Sequence, residues 1–462
     1  MGRNSGCERM NKTPETILAE SISVGTNFPK LCRQAVKHLG IYFDESQYWW
    51  IWNNKEYKWQ ETDLIEIFNR IDEKITESAN TIDPKIKCLL MEALKREGRK
   101  NKPDKLDWHW IQFKDKLINF KTNEEMDATS KYFITNPIPW KVGSSDKTPQ
   151  LDKLLSEWLN HDKMKKEDKR HVDYLKELFA FTIVPKYFIS TVPFLYGRGG
   201  DGKTQFLDTL IKFIGPKNEH SSTINSLEHT NFGTYDLRKK LMCSVYEVPK
   251  NNIVKFTNIK SISGRDGNGE ISITKKGYQS VKEEVYAKFF LVGNDVPICK
   301  DNSDGFFRRI VPIKFPNKFE EVGDIFETIP DKEYNNLAFW CLNKLKDLST
   351  TYNLMCNKGT IEEKKKAYQK ASNQIIHFME SVGYIKVDNH NLRYPVTQLF
   401  NEFNRWADEN NHNLLDYKEF KAKLENLGIL TDISYITRDD GNRTRLLFAF
   451  GLDKQPIQAK GN

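Results

Sequence analysis

At 462 residues the chain is too long for a single hydrophobic core, and about three domains are expected. Charged residues make up 29% of the sequence, and no apolar run approaches the roughly 18 residues of a membrane span, which argues against an integral membrane protein. The formal charge of +8 is compatible with a polyanionic partner but does not indicate one by itself.

The seven cysteines are widely spaced without a CxxC pair, and the nine histidines include no HExxH. This pattern argues against a disulfide framework and against a zinc site. Residues 1–20 are polar throughout, so no secretory leader is expected. These features predict a protein of a reducing compartment, the cytoplasm of a host cell.

The first strong local signal is a pair of aromatic runs. Tyr48–Trp52 and Lys55–Trp59 read as strands on either side of the polar turn Asn53-Asn54, which predicts a β-hairpin. An aromatic platform for single-stranded nucleic acid is one interpretation. Packing of the rings on a small sheet is the favoured one, because alternate strand residues must bury something.

Helical and strand-like stretches follow the hairpin. Helices are expected at 62–100 and within 150–183, where apolar residues recur at helical spacing. A second strand-like patch runs from Trp108 to Phe120. The charged run 160–170 is expected to be a solvated loop.

From residue 191 short apolar strands alternate with helices, as in an α/β nucleotide-binding core. The predicted strands of this core are Val192–Tyr196, Leu241–Tyr246, Lys288–Val292 and Ile310–Ile313. After a helical stretch at 332–372, the expected elements are helices at 396–409 and 416–427 and strands at Ile433–Thr437 and Arg445–Phe450. The predicted domains are an extension, an α+β module, the core, a helical connector and a C-terminal unit, at 1–39, 40–185, 186–330, 331–372 and 373–462.

A glycine-rich loop joins the first core strand to a helix and has the GxxxxGKT spacing of a P-loop. Glycines let the backbone fold around phosphates with its N–H groups pointing inward, and the helix N-terminus adds partial positive charge. Lys203 would reach the β- and γ-phosphates, and the Thr204 hydroxyl would bind Mg²⁺. An ordinary glycine-rich turn is the alternative. The residues predicted to hold ATP are Gly197, Arg198, Gly199, Gly200, Asp201, Gly202, Lys203, Thr204 and Gln205.

Side chains suited to ATP hydrolysis follow downstream. Glu247 ends a core strand and could deprotonate the attacking water and help to hold Mg²⁺. Asn294 ends the next strand and could contact the γ-phosphate, although Gly-Asn is also common in turns. Arg308 and Arg309 could reach the ATP of a neighbouring subunit, although adjacent arginines are more often a surface pair or a nucleic-acid contact. A GTPase would need an NKxD motif, and none lies downstream of the loop.

Taken together, this order of motifs resembles the superfamily 3 helicases, and among them the phage and plasmid primase-helicase family that includes the poxvirus primase-helicase. The matching elements are the P-loop, Glu247, Lys260-Ser261-Ile262-Ser263-Gly264-Arg265-Asp266, Gly293-Asn294 and the stretch from Phe307 to Phe315. The resemblance extends over residues 110–450. It implies an α/β fold with an AAA+-like P-loop NTPase core, preceded by an α+β module and followed by a winged helix.

The resemblance also implies a hexameric ring that binds ATP between subunits and holds single-stranded DNA in its pore. The implied catalytic residues are Lys203, Glu247 as the base, Asn294 as the sensor, and Arg308 or Arg309 as the arginine finger. Lys275 and Lys276 would grip DNA phosphates from a hairpin that lines the pore. Because no primase signature precedes the core, a primase would be a separate partner. In another departure from the pattern, Tyr246 stands where many motor ATPases have a second acid beside Glu247.

The C-terminal unit has basic residues on one helix and around a turn that resembles a wing. Lys418 and Lys421 lie on the helix, and Arg443 lies beside the turn. Such a helix and wing suit contact with the backbone of duplex DNA at a fork or an origin, and a protein-binding face is the alternative.

Three functions are compatible with these motifs. The first is an ATP-dependent replicative DNA helicase of a virus, phage or plasmid. The second is an origin-binding initiator whose ATPase serves assembly more than unwinding. The third is a P-loop ATPase that does not act on nucleic acid, such as a chaperone or a remodeller, and its hydrolysis would not respond to DNA.

Overall fold

The computed structural model describes residues 28–75, 84–159, 169–230, 233–248, 256–264, 270–274, 280–297, 301, 303–320, 323, 325–389, 391–410, 412–437 and 443–455. The chain divides into two compact units, Met1–Lys141 and Val142–Asn462. The helices predicted within 150–183 therefore belong to the same unit as the predicted core. None of the described helices is both long enough and apolar enough to cross a membrane.

The first unit contains small antiparallel sheets and amphipathic helices. Its described elements are α1 (Phe28–Leu39), β1 (Ile41–Phe43), β2 (Trp49–Asn53), β3 (Lys58–Thr62), α2 (Leu64–Ile75), α3 (Pro84–Lys100), β4 (Trp110–Phe113), β5 (Lys116–Asn119) and β6 (Glu125–Asp127). One sheet has the order β1-β2-β3 and the other β4-β5-β6. Cys32 and Ala35 of α1 and Leu90 and Leu94 of α3 lie fully buried in one apolar cluster.

The predicted aromatic hairpin is confirmed as β2 and β3, which pair with Trp52 opposite Trp59. Trp49, Trp50 and Trp59 expose only 7%, 2% and 2% of their surface, so these rings are core residues and are not open to stack on bases. The predicted turn at Asn53-Asn54 was misplaced. Asn53 ends β2, and its side-chain oxygen accepts hydrogen bonds from the N–H groups of Lys55 (2.9 Å) and Glu56 (3.1 Å), which creates a longer turn.

The second unit is of the mixed α/β class. Up to its last parallel strand the described elements are α4 (Pro149–Leu159), α5 (Lys169–Thr182), β7 (Val192–Tyr196), α6 (Lys203–Ile214), β8 (Glu219–Ser222), α7 (Ile224–His229), β9 (Met242–Val245), α8 (Thr257–Ile262), β10 (Glu270–Ile273), β11 (Val281–Glu284), β12 (Lys288–Gly293), α9 (Asp304–Phe307) and β13 (Ile310–Lys314). Five of these strands form a parallel sheet in the order β13-β7-β12-β9-β8.

The four predicted core strands are confirmed as β7, β9, β12 and β13. Every residue of β9 and β12 is buried, as expected for central parallel strands covered on both faces. Strand β8, at the edge of the sheet, was not predicted from the sequence. Its sequence, Glu-His-Ser-Ser, is polar because an edge strand needs little apolar surface, so hydrophobic patterning cannot find it.

Within the second unit, buried polar contacts as well as apolar faces hold α4 and α5 in place. The carboxylate of Glu333 accepts hydrogen bonds from the N–H groups of Gln150 (3.1 Å) and Leu151 (2.9 Å) at the start of α4. It thereby satisfies donors that a helix N-terminus leaves unpaired. On α5, the buried Glu177 forms an ion pair with Lys344 at 2.9 Å.

The rest of the second unit comprises α10 (Ile325–Thr328), α11 (Asp331–Thr351), α12 (Ile361–Ser372), α13 (Gln374–Val382), β14 (Tyr384–Lys386), β15 (Arg393–Pro395), α14 (Val396–Glu409), α15 (Tyr417–Asn426), β16 (Thr431–Thr437), β17 (Arg443–Phe450) and β18 (Leu452–Lys454). The stretch expected to be helical at 332–372 contains two α-helices, α11 and α12, with a break between them. Tyr352 ends α11 in a left-handed conformation, and Thr360 starts α12 with a capping box that includes Glu363.

The C-terminal helices and strands have their own core. Phe378 of α13, Phe403 of α14 and Phe420 of α15 are buried together with apolar residues of the adjoining strands. Strands β15, β17 and β16 form an antiparallel sheet in that order. The predicted helices at 396–409 and 416–427 and both predicted strands are confirmed, and the strands are slightly longer than expected.

Candidate functional site

The glycine-rich loop, residues 197–204, lies between β7 and α6, so the strand–loop–helix arrangement predicted for it is confirmed. Gly199 and Gly202 have φ angles of 90° and 89°, in the left-handed region that favours glycine. At Gly202 a side chain is also excluded by space, because a Cβ would overlap the ring of Trp158. The loop thus brings its backbone close to α4 and turns directly into the first residue of α6.

The loop surrounds a buried pair of opposite charges. The side chains of Asp201 and Lys203 are 4% and 6% exposed, and the Lys203 ammonium forms an ion pair with Asp201 Oδ2. The same ammonium donates a hydrogen bond to the carbonyl oxygen of Gly197 at 3.2 Å. Asp201 also accepts weak hydrogen bonds from the N–H groups of Gly199 (3.3 Å) and Lys203 (3.4 Å). The donors of the loop therefore converge on a negatively charged group.

The other residues predicted to bind the nucleotide have different environments. Thr204 is exposed, and Arg198 is half-buried. The side-chain oxygen of Gln205 accepts a hydrogen bond from the N–H of Ile325 at 3.1 Å, so Gln205 ties α6 to α10. The exposed Gly200 is held through its carbonyl, which accepts a hydrogen bond from Phe319 at 2.8 Å.

The parallel register places the predicted catalytic carboxylate and amide at the carboxyl ends of the strands, where the loop also lies. Tyr196, the last residue of β7, pairs with Gly293, and Asn294 follows directly. On the other side of β12, Val245 pairs with Leu291, so Glu247 lies near the level of Gly293. Both Glu247 and Asn294 are exposed, and Glu247 has a φ of 54°, in the left-handed region that is uncommon for a residue with a side chain.

Arg308 and Arg309 lie at the other ends of the strands, the amino ends. They precede Ile310, which pairs with Val192 at the start of β7. A five-residue strand separates them from the glycine-rich loop, a distance of roughly 15 Å. With this strand register, neither arginine can reach the glycine-rich loop of its own chain.

The two arginines have different surroundings. Arg309 is 8% exposed, and its guanidinium donates a hydrogen bond to the carbonyl oxygen of Gly305 at 2.5 Å. A Cβ on Gly264 would lie 3.1 Å from the same guanidinium, so Arg309 packs between α9 and the end of α8. Arg308 is partly exposed, and its carbonyl accepts a hydrogen bond from Asn357 at 3.2 Å.

A small cleft adjoins the glycine-rich loop on the side of the C-terminal helices. Arg198, Lys314, Lys423 and Asp295 line it. Burial, followed by the positive charge of Arg198, lowers the pKa of Lys314 to about 8. From the segment between α14 and α15, Asn413 donates a hydrogen bond to Asp295 at 2.9 Å. The cleft is therefore cationic, and its walls join the sheet edge to the C-terminal helices.

Sequence reasoning missed Lys314 and Asn413 in this cleft. Lys314 is the last residue of β13 and pairs with Tyr196, the last residue of β7. This position at a strand end beside the loop is a signal that could have identified Lys314. Asn413 carries no comparable signal, because it lies in an irregular segment about 120 residues from the partner it contacts.

The predicted DNA-binding residues are only partly described. Lys275 and Lys276 lie outside the described residues, but β10 and β11 on either side of them pair antiparallel, as the predicted hairpin requires. At the base of that hairpin Glu283 forms ion pairs with Arg238 (2.6 Å) and Lys239 (2.5 Å). Burial raises the pKa of Glu283, but these two cations outweigh it and leave the pKa below its usual value.

Within residues 373–462, the three predicted basic residues lie on accessible surface. Lys418 is exposed on α15, and Arg443 is exposed at the start of β17. Lys421 is partly exposed and forms an ion pair with Glu425 at 3.5 Å. The exposed Tyr435 of β16 pairs with Arg445 of β17 beside these basic residues.

Comparison with known proteins adds one family. The sequence profile of a family of unknown function, DUF5906, matches residues 195–309. The match begins within β7 and ends at Arg309, so it includes the glycine-rich loop, Glu247 and Asn294. No curated protein sequence matches the chain.

Solved structures of the C-terminal region of NrS-1 are similar to the chain at low identity. Its "A form apo structure" has 14% identity and a TM-score of 0.46, and the match covers 89% of this chain and 96% of that chain. The A form of residues 305-718 gives 16% and 0.46, with 86% of each chain covered. A further apo structure of that region gives 15% and 0.48, with coverage of 93% and 100%. Similarity at this level leaves the function to be argued from the chain's own residues.

Proposed function

We propose that the chain is an ATP hydrolase whose glycine-rich loop binds the phosphates of ATP. The observation that carries the proposal is the convergence of the Lys203 ammonium and the N–H groups of Gly199 and Lys203 on one anionic group. In the described structure that group is the carboxylate of Asp201, a stand-in for a phosphate. These donors, at the start of a 12-residue helix, are those that a P-loop offers to phosphates.

The position of the loop supports the same proposal. In open α/β sheets, ligands bind outside the carboxyl ends of the strands. The loop follows the carboxyl end of β7, and Asn294 and Glu247 follow the carboxyl ends of the next two strands in the sheet. A glycine-rich loop with a carboxylate and an amide beside it supports the proposal of an AAA+-like P-loop core.

The proposed mechanism assigns separate tasks to these side chains. Lys203 neutralises charge that develops on the transferred phosphoryl group. Thr204, exposed at the first turn of α6, would hold Mg²⁺, which would supply positive charge to the phosphates. Glu247, whose carboxylate is exposed, accepts the proton of the attacking water. Asn294 orients that water or contacts the γ-phosphate.

The replacement Glu247→Gln tests this mechanism. The variant should bind ATP with the affinity of the natural protein but hydrolyse it at least 10²-fold more slowly, because an amide cannot accept the proton of the water. Glu362→Gln on the exposed first turn of α12 is the matched control and should be fully active. Isothermal titration with ATP and release of inorganic phosphate measure the two properties. Normal hydrolysis by the Glu247 variant would mean that another carboxylate is the base.

We further propose that the ATPase is a superfamily 3 helicase that acts on DNA in the replication of a virus, phage or plasmid. The C-terminal unit supports a DNA partner. Helices α14 and α15 are followed by β16 and β17, with β15 on the other side of β17, and this order of elements supports the proposal of a winged helix. Lys418 and Arg443 lie exposed on the helix and beside the wing, where they would contact the backbone of duplex DNA.

A strand-displacement assay separates the helicase from its alternatives. The helicase should release a labelled strand from a forked duplex with ATP, and its hydrolysis should rise when single-stranded DNA is added. An origin-binding initiator would bind blunt duplex and hydrolyse ATP without releasing the strand. Hydrolysis that is unaffected by any DNA would leave an ATPase that does not act on nucleic acid.

A further inference from the structure

Asp201 is the one acidic residue of the glycine-rich loop, and a phosphate-binding loop has an evident need for positive charge but none for a carboxylate. Its side chain is nevertheless turned into the loop and is only 4% exposed. Gly197 makes room for it, because a Cβ at that position would overlap Asp201 Oδ2. The loop is thus built around the carboxylate.

The contacts of Asp201 use the donors that a phosphate would need. Its Oδ2 atom pairs with the Lys203 ammonium and lies 3.3 Å from the N–H of Gly199, and its Oδ1 atom lies 3.4 Å from the N–H of Lys203. Charge-assisted hydrogen bonds of this kind are roughly twice as strong as neutral ones. The two backbone contacts are long, so most of the attraction comes from the ion pair.

Two anions cannot share this set of donors. A phosphate that approached Lys203 would meet the carboxylate at short range in a buried, low-dielectric site, where like charges repel strongly. ATP binding therefore requires the Asp201 side chain to leave Lys203. Meanwhile the carboxylate neutralises Lys203, which would otherwise be a buried and unpaired charge in the nucleotide-free protein.

We propose that Asp201 is a tethered anion that occupies the phosphate position of the nucleotide-free loop and competes with ATP for Lys203. This inference rests on the proposed ATP site. It makes Asp201 a determinant of nucleotide affinity. The same residue stabilises the empty loop and weakens the binding of the ligand.

The replacement Asp201→Asn tests the competition. Without the carboxylate, ATP and inorganic pyrophosphate should each bind about tenfold more tightly, because one charged contact no longer has to be broken. Titration calorimetry without Mg²⁺ measures both affinities and avoids turnover. Asp347→Asn on the exposed face of α11 removes the same formal charge far from the loop along the chain, and it should leave both affinities unchanged.

The stability of the nucleotide-free protein tests the ion pair itself. Asp201→Asn and Lys203→Ala should each lower the Tm, because each leaves one buried charge without its partner. The double variant should lose less than the sum of the two losses, since both charges are then gone. A general effect of net charge on ATP binding would not produce this coupling.

The outcomes separate the two proposals. If neither ATP nor pyrophosphate binds to the natural protein or to any variant, the proposed ATP site is wrong. If the natural protein binds ATP and Asp201→Asn binds it equally or more weakly, the site stands and the competition is wrong. Additive losses of Tm would also overturn the inference, because they would mean that the two side chains do not interact.

Discussion

Lys203→Ala should abolish ATP hydrolysis, with a loss of roughly 10²–10³-fold or more. The Lys203 ammonium is the buried positive charge of the loop, and the backbone N–H groups cannot replace it in neutralising the transferred phosphoryl group. Lys332→Ala, on the exposed start of α11, is the control and should keep full activity. Phosphate release at saturating ATP is the measurement, and near-normal turnover by the Lys203 variant would overturn the assignment of the loop.

The structure adds a complication to this experiment and also a remedy. Lys203→Ala leaves the buried carboxylate of Asp201 without its partner, so the variant should unfold at a lower temperature than the natural protein. The double variant Asp201→Asn with Lys203→Ala removes both charges and should regain most of the lost Tm. It should remain inactive, because the catalytic charge is still absent. Loss of activity without loss of fold then assigns the effect to chemistry.

Arg308→Ala should lower ATP hydrolysis by ~10³–10⁵-fold while the fold stays intact. In a ring such as the resemblance to superfamily 3 helicases implies, a partly exposed Arg308 would stabilise charge on the ATP of the neighbouring subunit. Arg308 lies at the amino ends of the strands, and its own glycine-rich loop lies at their carboxyl ends, so Arg308 is too far away to act within its own chain. Arg309→Ala should instead lower the Tm, because its guanidinium is buried between α8 and α9 and bound to Gly305.

Mixing two inactive variants tests the contact between subunits. In a mixed ring, an Arg308→Ala subunit has an intact loop that can receive Arg308 from a Lys203→Ala neighbour, so hydrolysis should recover in part. A mixture of Arg308→Ala with the double variant Lys203→Ala, Arg308→Ala should recover nothing, because no subunit supplies the arginine. If the first mixture is as inactive as the second while rings are visible by electron microscopy, Arg308 does not act between subunits.

Local sequence was sufficient for the elements that position the site. The alternation of apolar strands and helices predicted β7, β9, β12 and β13, since the central strands of a covered parallel sheet must be apolar along their length. The glycines and the strand and helix on either side predicted the loop. These features depend on neighbours in the chain, which is why one sequence reveals them.

Predictions failed where the structure depends on the place of a strand in the sheet, on a side-chain hydrogen bond or on the backbone conformation of a single residue. Strand β8 is polar because it lies at the edge of the sheet, and no hydrophobic pattern marks it. The turn after Trp52 was misplaced because the Asn53 side chain binds two backbone N–H groups and delays the second strand. The 332–372 stretch was expected to be helical, and its residue pattern did not show where it is divided: Tyr352, in a left-handed conformation, ends α11.

By itself the sequence determined which residues could carry chemistry: a lysine after a glycine-rich loop, a carboxylate and an amide at strand ends, and two adjacent arginines. Only the tertiary structure decided how they are used. Burial separates Arg309 from Arg308, the parallel register gives Glu247 and Asn294 the same edge as the loop, and the fold of the loop directs Asp201 onto Lys203. Each of these outcomes depends on burial and on distances between residues that are not neighbours in the chain, and residue types and spacing do not contain that information.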